Sequence, residues 1–187
     1  LEKVKVHGPP KLINKFPELK TAIVISPQCP TDGWWETATL MNLLKEVIDS
    51  FHQEINEQRI YITGLSLGGY GTWHLISRYP KYFAAAAPIC GAGDVSKING
   101  NFVFNGAEEF NFSKTKELIK LPIWVFHGSK DNVVPQKESE VLVKALKEAG
   151  STSIKFTSYR GLGHDSWTKT YNNPEFYRWL FSHSRKN

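Results

Sequence analysis

The chain has 187 residues, of which 41% are hydrophobic and 22% charged, and its formal net charge is +5 at pH 7. A chain of this length and composition forms one core, so we expect residues 1–187 to be a single domain. The basic residues are mixed with acids, as in "KTKELIK", which argues against nucleic-acid binding. No run approaches the roughly 20 apolar residues of a membrane-spanning helix. The sequence carries no indication of localisation.

Short apolar runs alternate with amphipathic segments along the chain. The runs predict strands over Thr21–Ser26, Arg59–Thr63, Phe83–Ile89, Pro122–Gly128 and Ser153–Tyr159. The amphipathic segments predict helices over Thr37–Ile55, Leu67–Arg78 and Pro135–Ala149, and from Asn173 to about Phe181. This alternation predicts an α/β fold with a mostly parallel sheet and helices on both faces. Ligands of such sheets bind at the carboxyl ends of the strands.

The segment "GLSLG", Gly64 to Gly68, lies between a predicted strand and a predicted helix. It matches G-x-S-x-G, the sharp turn that lifts a serine hydroxyl above a sheet. Side chains two residues before and after the serine would collide with neighbouring backbone, so glycine is expected at both places. The turn aims the next helix at Ser66, and the N–H of Leu67 is therefore predicted to bind an oxyanion. A glycine-rich turn with an incidental serine is the alternative.

A serine nucleophile needs a base, and the base needs an orienting carboxylate. In folds with this turn, the acid and then the histidine follow the serine, on loops after later strands. Asp131 follows the strand predicted over Pro122–Gly128, and His164 follows the last strand, so both satisfy order and placement. Asp94 follows an earlier strand and is an alternative acid. His127 precedes Asp131 by four residues, and we interpret it as shaping the loop.

The segments "GLSLGGYGTW", "PICGAGD", "WVFHGSKDNVVP" and "GLGHDSW" together resemble the α/β-hydrolase superfamily. Within it, the chain is most similar to bacterial carboxylesterases and predicted peptidases related to polyhydroxybutyrate depolymerases and feruloyl esterases. The resemblance implies that Ser66 is the nucleophile, His164 the base and Asp131 the orienting acid, with no metal or organic cofactor. It implies a carboxylesterase that acts on small-molecule esters. The alternatives are a serine peptidase of the prolyl-oligopeptidase type and a non-catalytic binding protein.

One part of that family pattern is not found in the sequence. The family has a His-Gly-x-Gly-type loop, upstream of "VKVHGPPKLI", that supplies a second oxyanion donor. We therefore expect N-terminal strands of the α/β-hydrolase fold to be missing, with Thr21–Ser26 lying two strand spacings from Arg59–Thr63. Recruitment of a segment such as Lys3–His7, or pairing of two chains as a homodimer, would cover the strand edges so exposed.

Three tryptophans, Trp34, Trp35 and Trp167, fall on predicted loops at the edge that carries the serine. They are predicted to form an aromatic wall of the substrate pocket, with packing in a core or lid as the alternative. Cys29 and Cys90 follow different predicted strands, so they are expected to be unpaired thiols. Their spacing matches no metal site.

Overall fold

The computed structural model describes residues 2–31, 33–93 and 116–185. Its strands are β1 (Tyr61–Leu65), β2 (Ala85–Ile89), β3 (Ile123–Gly128) and β4 (Ile154–Tyr159). Its helices are α1 (Gly8–Leu12), α2 (Pro17–Lys20), α3 (Thr37–Ser50), α4 (Leu67–Arg78), α5 (Lys116–Lys120), α6 (Gln136–Glu148), α7 (Trp167–Tyr171) and α8 (Pro174–Phe181). Short 3₁₀ turns cover Glu2–Lys5, Glu57–Arg59 and Pro80–Tyr82.

The four described strands form one parallel sheet in the order β1-β2-β3-β4. In this sheet β1 starts opposite β2, with Tyr61 beside Ala85, and β3 starts opposite β4, with Ile123 beside Ile154. Each crossover passes through a helix, because parallel neighbours cannot be joined by a tight turn. The predicted α/β fold is confirmed. Within the described residues, no helix is both long and apolar enough to cross a bilayer.

Two apolar clusters lie on opposite faces of the sheet. Val125 and Phe126 are neighbours on β3, and they belong to different clusters because successive strand residues point to opposite faces. The first cluster joins the sheet to α4 and α6 through residues such as Trp73 and Leu146. The second joins it to α8 through Phe176 and to the N-terminal helices. Both faces are therefore covered, as a parallel sheet requires.

The prediction of a strand over Thr21–Ser26 is wrong. This segment has no regular secondary structure, and Ile23 and Ile25 are 47% and 38% exposed. A cleft of about 860 Å³ is lined by this segment, by β1 and by apolar residues of α3 such as Leu43. An apolar run becomes a strand only where a neighbouring strand completes its hydrogen-bond ladder, and no described strand lies beside this one.

The first strand of the described sheet, β1, lies at its edge and differs from β2. All five residues of β1 are half-buried, whereas all five of β2 are buried. Recruitment of Lys3–His7 as a strand, one of the alternatives for covering the exposed edge, is not found in the described chain, because Glu2–Lys5 forms a 3₁₀ turn. The cleft therefore separates the segment around Ile23 from the edge of the sheet.

Candidate active site

Ser66 sits on the sharp turn between β1 and α4. Its backbone has φ +49° and ψ −117°, a region that residues other than glycine rarely adopt. The N–H of Ser66 donates to the carbonyl oxygen of Ile89 at 2.9 Å, which ties the turn to the end of β2. The strained conformation is therefore held by the neighbouring strand, and it places the serine directly before the N-terminus of a helix.

Of the two glycines predicted to be necessary around Ser66, the structure requires one. A Cβ at Gly64 would lie 2.1 Å from the carbonyl oxygen of Gly68, so the expected need for glycine there is confirmed. At Gly68 the expectation is wrong, because a Cβ would meet no atom of the described residues within 4 Å. The close approach occurs one residue later: a Cβ at Gly69 would lie 2.6 Å from the carbonyl oxygen of Ile89. Gly69 allows α4 to pack directly on the end of β2.

The structure brings Ser66, His164 and Asp131 together in one hydrogen-bonded chain. Ser66 Oγ is 2.9 Å from Nε2 of His164, and Nδ1 of His164 is 2.7 Å from Oδ2 of Asp131. The Asp131 side chain is fully buried, whereas that of His164 is 18% exposed. The imidazole can therefore accept the serine proton at Nε2 while the carboxylate accepts from Nδ1. Asp94, the alternative acid, lies outside the described residues.

Backbone donors fix the orientation of the Asp131 carboxylate. Its Oδ1 accepts hydrogen bonds from the N–H groups of Val133 and Val134, both at 2.9 Å. Aspartate side chains commonly accept hydrogen bonds from backbone amides two and three residues further along the chain, as in this turn. With Oδ1 occupied in this way, Oδ2 is directed towards the histidine.

The loops that carry Asp131 and His164 are bonded to each other. Lys130 donates its backbone N–H to the carbonyl oxygen of Leu162 at 2.8 Å. A Cβ at Gly128 would lie 2.1 Å from the carbonyl oxygen of Gly163, so glycine allows the close approach of these loops. The carboxylate and the imidazole are thus positioned by one pair of connected loops.

A second imidazole contacts the same carboxylate. His127 is fully buried at the end of β3, and its Nε2 is 3.1 Å from Oδ2 of Asp131 and 2.8 Å from the carbonyl oxygen of Val134. Its Nδ1 is 2.8 Å from the hydroxyl of Ser139 on α6. Burial lowers the pKa of His127, so the neutral imidazole is favoured. The sequence shows the four-residue spacing from Asp131 but not this contact.

Leu67 is the first residue of α4, so its N–H is one of the helix-terminal donors that lack a partner within the helix. Leu67 is 40% exposed at this position. The indole N–H of Trp35 donates to the carbonyl oxygen of Leu67 at 2.8 Å, and a Cβ at Gly71 would lie 2.7 Å from the same indole ring. Trp35 therefore packs against the first turns of α4.

The other two tryptophans predicted for the pocket have separate surroundings. Trp34 packs edge-on against Tyr70 at a centroid distance of 5.6 Å, beside a small cluster that includes Val134. Trp167 meets the ring of His164 edge-on at a centroid distance of 5.3 Å and the ring of His7 edge-on at 5.7 Å. Trp167 is thus in contact with the proposed base, and the shared aromatic wall stays a prediction.

A buried thiol lies next to these groups. One ligand atom each of Cys90, Asp131 and His164 lies within 4.8 Å of the other two. Burial raises the pKa of the Cys90 thiol to about 12, so the neutral thiol is favoured at neutral pH. The carboxylate and the imidazole bond to each other. Cys90 and Cys29 are both free.

Comparisons with known proteins identify the fold and the family of this chain. A serine presented on a strand-to-helix turn above a parallel sheet defines the α/β-hydrolase fold, and the chain has that fold. It belongs to the prolyl oligopeptidase family, whose sequence profile matches residues 32–186.

The similar proteins include several esterases. The crystal structure of a thermostable esterase is 39% identical, has a TM-score of 0.69, and is matched over 85% of this chain and 43% of its own. Carboxylesterase SOBER1 of Arabidopsis thaliana is 31% identical over 134 residues, which are 69% of this chain and 53% of that protein. Poly(3-hydroxyalkanoate) depolymerase C of Paucimonas lemoignei is 29% identical over 141 residues, 64% of this chain and 30% of that protein.

The chain therefore spans about half the length, or less, of the curated relatives it matches here. The resemblance to carboxylesterases and polyhydroxyalkanoate depolymerases that the sequence motifs predicted is confirmed by these matches.

Proposed function

We propose that this protein hydrolyses small carboxylic esters through an acyl-enzyme intermediate on Ser66. The observation that carries the proposal is the hydrogen-bonded chain from Ser66 Oγ through His164 to Asp131, with bonds of 2.9 and 2.7 Å. A serine is a weak nucleophile at neutral pH, and a base within hydrogen-bond reach is what activates it. The esterases among the similar proteins support the same reaction class.

The acylation step uses each member of the chain in turn. Nε2 of His164 takes the proton of Ser66 as Oγ attacks the ester carbonyl carbon and forms the tetrahedral intermediate. The negative charge that develops on the carbonyl oxygen is stabilised by the N–H of Leu67 and by the N-terminus of α4. As the carbon–oxygen bond of the ester breaks, His164 gives its proton to the departing alcohol.

Deacylation repeats these steps with water in place of the serine. His164 removes a proton from the water as the water oxygen attacks the acyl carbon. Collapse of this intermediate breaks the bond to Ser66 Oγ, which regains the proton from the imidazole and releases the carboxylic acid. The carboxylate of Asp131 accepts from Nδ1 throughout and stabilises the imidazolium form of His164.

The family match favours one second candidate, a serine peptidase. Ester and amide hydrolysis pass through the same kind of acyl-enzyme. They differ in the leaving group, because an amine must be protonated before it departs and an activated alcohol such as p-nitrophenol need not be. A p-nitrophenyl ester and a p-nitroanilide with the same acyl group therefore separate the two activities. We expect the ester to be hydrolysed far faster, and comparable rates on peptidyl-proline anilides would favour the peptidase.

A fluorophosphonate probe tests the nucleophile itself. We expect labelling of Ser66 in the parent chain and neither labelling nor ester hydrolysis in Ser66→Ala, whose circular dichroism spectrum should match the parent's. Ser182→Ala is a matched control, because that hydroxyl lies at the end of α8 and bonds to the carbonyl oxygen of Trp179. Absence of labelling in a folded parent chain would favour a non-catalytic binding protein.

A further inference from the structure

The carboxylate of Asp131 lies between two imidazoles rather than one. Oδ2 is 2.7 Å from Nδ1 of His164 and 3.1 Å from Nε2 of His127. The side chains of His127 and Asp131 are both fully buried, so water does not compete for this contact. A buried polar contact of this kind has a larger effect than an exposed one, because its loss leaves a desolvated group unpaired.

The partners of His127 determine where its hydrogen lies. Nε2 faces two acceptors, the carbonyl oxygen of Val134 and Oδ2 of Asp131, so this nitrogen must carry the N–H. Nδ1 of the neutral ring is then an acceptor for the hydroxyl of Ser139. That hydroxyl also lies 3.2 Å from the carbonyl oxygen of Gly91, at the end of the turn that follows β2.

We infer that His127 is a positioning residue, which fixes Oδ2 of Asp131 for its hydrogen bond to His164. Two amides donate to Oδ1, and Nε2 of His127, whose N–H donates to the carbonyl oxygen of Val134, also lies 3.1 Å from Oδ2, so rotation of the carboxylate would disrupt these buried polar contacts. The described polar contacts of His127 are with Ser139, Val134 and Asp131, so it acts on the reaction through Asp131. The inference rests on the proposed function.

Two substitutions of His127 separate its hydrogen bond from its bulk. The amide nitrogen of His127→Gln reaches the position of Nε2 and can donate to Oδ2, whereas His127→Asn reaches only the position of Nδ1. A hydrogen bond to a charged group corresponds to about tenfold to hundredfold in rate. We therefore expect kcat on a p-nitrophenyl ester to fall by about that factor in His127→Asn, with KM within about twofold of the parent, and to be largely restored in His127→Gln.

A double-mutant cycle tests whether the effect passes through Asp131. In the Asp131→Asn background, His127→Asn should change kcat by less than about threefold, because the carboxylate that the His127 side chain positions is already absent. Ser139→Ala is the matched control, since it removes the partner of Nδ1 and leaves the Nε2 donor; its kcat should stay within about threefold of the parent. Thermal unfolding of each variant confirms that the rates are measured on folded protein.

Two outcomes would overturn the role of His127. One is equal loss of kcat in His127→Gln and His127→Asn in proportion to loss of folded protein, which indicates packing alone. The other is full additivity in the Asp131→Asn background. Failure of the proposed function is distinguishable from both, because then the parent chain itself would not react with a fluorophosphonate.

Discussion

The indole N–H of Trp35 donates to the carbonyl oxygen of Leu67 at 2.8 Å, and this bond joins the segment before α3 to the residue directly after Ser66. The N–H of Leu67 is the proposed oxyanion donor, so the bond holds the backbone of that donor in place. Trp35 therefore has a specific structural contact rather than only a surface for substrate.

Trp35→Phe should lower kcat while leaving KM near the parent value. Phenylalanine keeps an aromatic ring near Gly71 and removes the N–H together with part of the indole, a loss of bulk that Trp34→Phe matches, and a neutral hydrogen bond corresponds to about twofold to tenfold in rate. Trp34→Phe is the control, because Trp34 packs on Tyr70 and should affect KM more than kcat. Steady-state kinetics on a p-nitrophenyl ester measure both; the same change in both variants would contradict a role for the Trp35 bond.

Asp131→Asn should lower kcat by about 10⁴, because the amide favours the wrong imidazole tautomer of His164. Asp165→Asn is the matched control, since Asp165 adjoins the histidine but bonds to Thr168 at the start of α7. We expect the kcat of Asp165→Asn to remain within about twofold of the parent value. If Asp94→Asn produced the large loss and Asp131→Asn did not, the acid would be misassigned.

Two neighbouring glycines should respond in opposite directions to alanine. Gly68→Ala should leave the free energy of unfolding unchanged or raise it by up to about 1 kcal/mol, because alanine is the better helix former and its Cβ meets no described atom. Gly69→Ala should lower it by about 1–3 kcal/mol, because the new Cβ would lie 2.6 Å from backbone of β2. Urea denaturation measures both, and similar values for the two variants would contradict the packing of α4 on β2.

The free edge of β1 predicts an alternating pattern of hydrogen exchange. The carbonyl oxygen of Ile60 and the N–H of Ser66 bond to residues of the β2 side, so the even-numbered backbone groups between them point to β2. The amides of Tyr61, Thr63 and Leu65 point away from it, towards the cleft. Residue-resolved exchange should be fast for these odd-numbered amides and slow for Ile62 and Gly64. Uniform protection would show that another strand covers the edge, as in the predicted homodimer.

Acid should destabilise the fold through its buried histidines. Burial lowers the pKa of His127 and of His74, each relative to the ordinary value of 6.5. A histidine with a lowered pKa in the fold stabilises it above pH 6.5, and this contribution is lost as the pH falls below 6.5 and through the lowered pKa of the folded state, because the unfolded chain binds more protons in that range. The melting temperature should fall between about pH 7.5 and about pH 5.5. The fall should be smaller in His127→Gln, and an equal fall would contradict the assignment.

The sequence predicted most elements that local patterns determine, and it failed where a distant partner decides. The helix of Leu67–Arg78 and the strand ending at Gly128 agree with the structure because apolar spacing and end signals are local. Thr21–Ser26 has the composition of a strand, yet its state depends on a neighbouring strand that the run itself does not encode. The prediction of the last helix agrees with α8, whereas the sequence does not predict the short helix α7 directly before it.

The site was predictable in part, wherever chain order and position at a strand end were sufficient. Chain order and strand ends were enough to select Ser66, Asp131 and His164, which the fold brings into contact. The need for glycine at position 69 rather than 68 depends on the backbone of β2, which the motif does not contain. The contact of His127 with the carboxylate depends on how the loop after β3 folds back, which four-residue spacing alone does not determine.

The bonds between the Asp131 and His164 loops affect how the site moves. Because Lys130 bonds to Leu162 and Gly128 lies against Gly163, thermal motion carries the acid and the base together. Ser66 is attached elsewhere, through Ile89 at the end of β2. Because β2 and β3 are neighbours in the same sheet, where the N–H of Cys90 donates to the carbonyl oxygen of Phe126 at 2.8 Å, the two attachments are joined one strand below the site. We therefore expect the distance from Ser66 Oγ to the imidazole to vary more than the bond from the imidazole to the carboxylate, so that the nucleophile can move towards an acyl group while its base keeps its orientation.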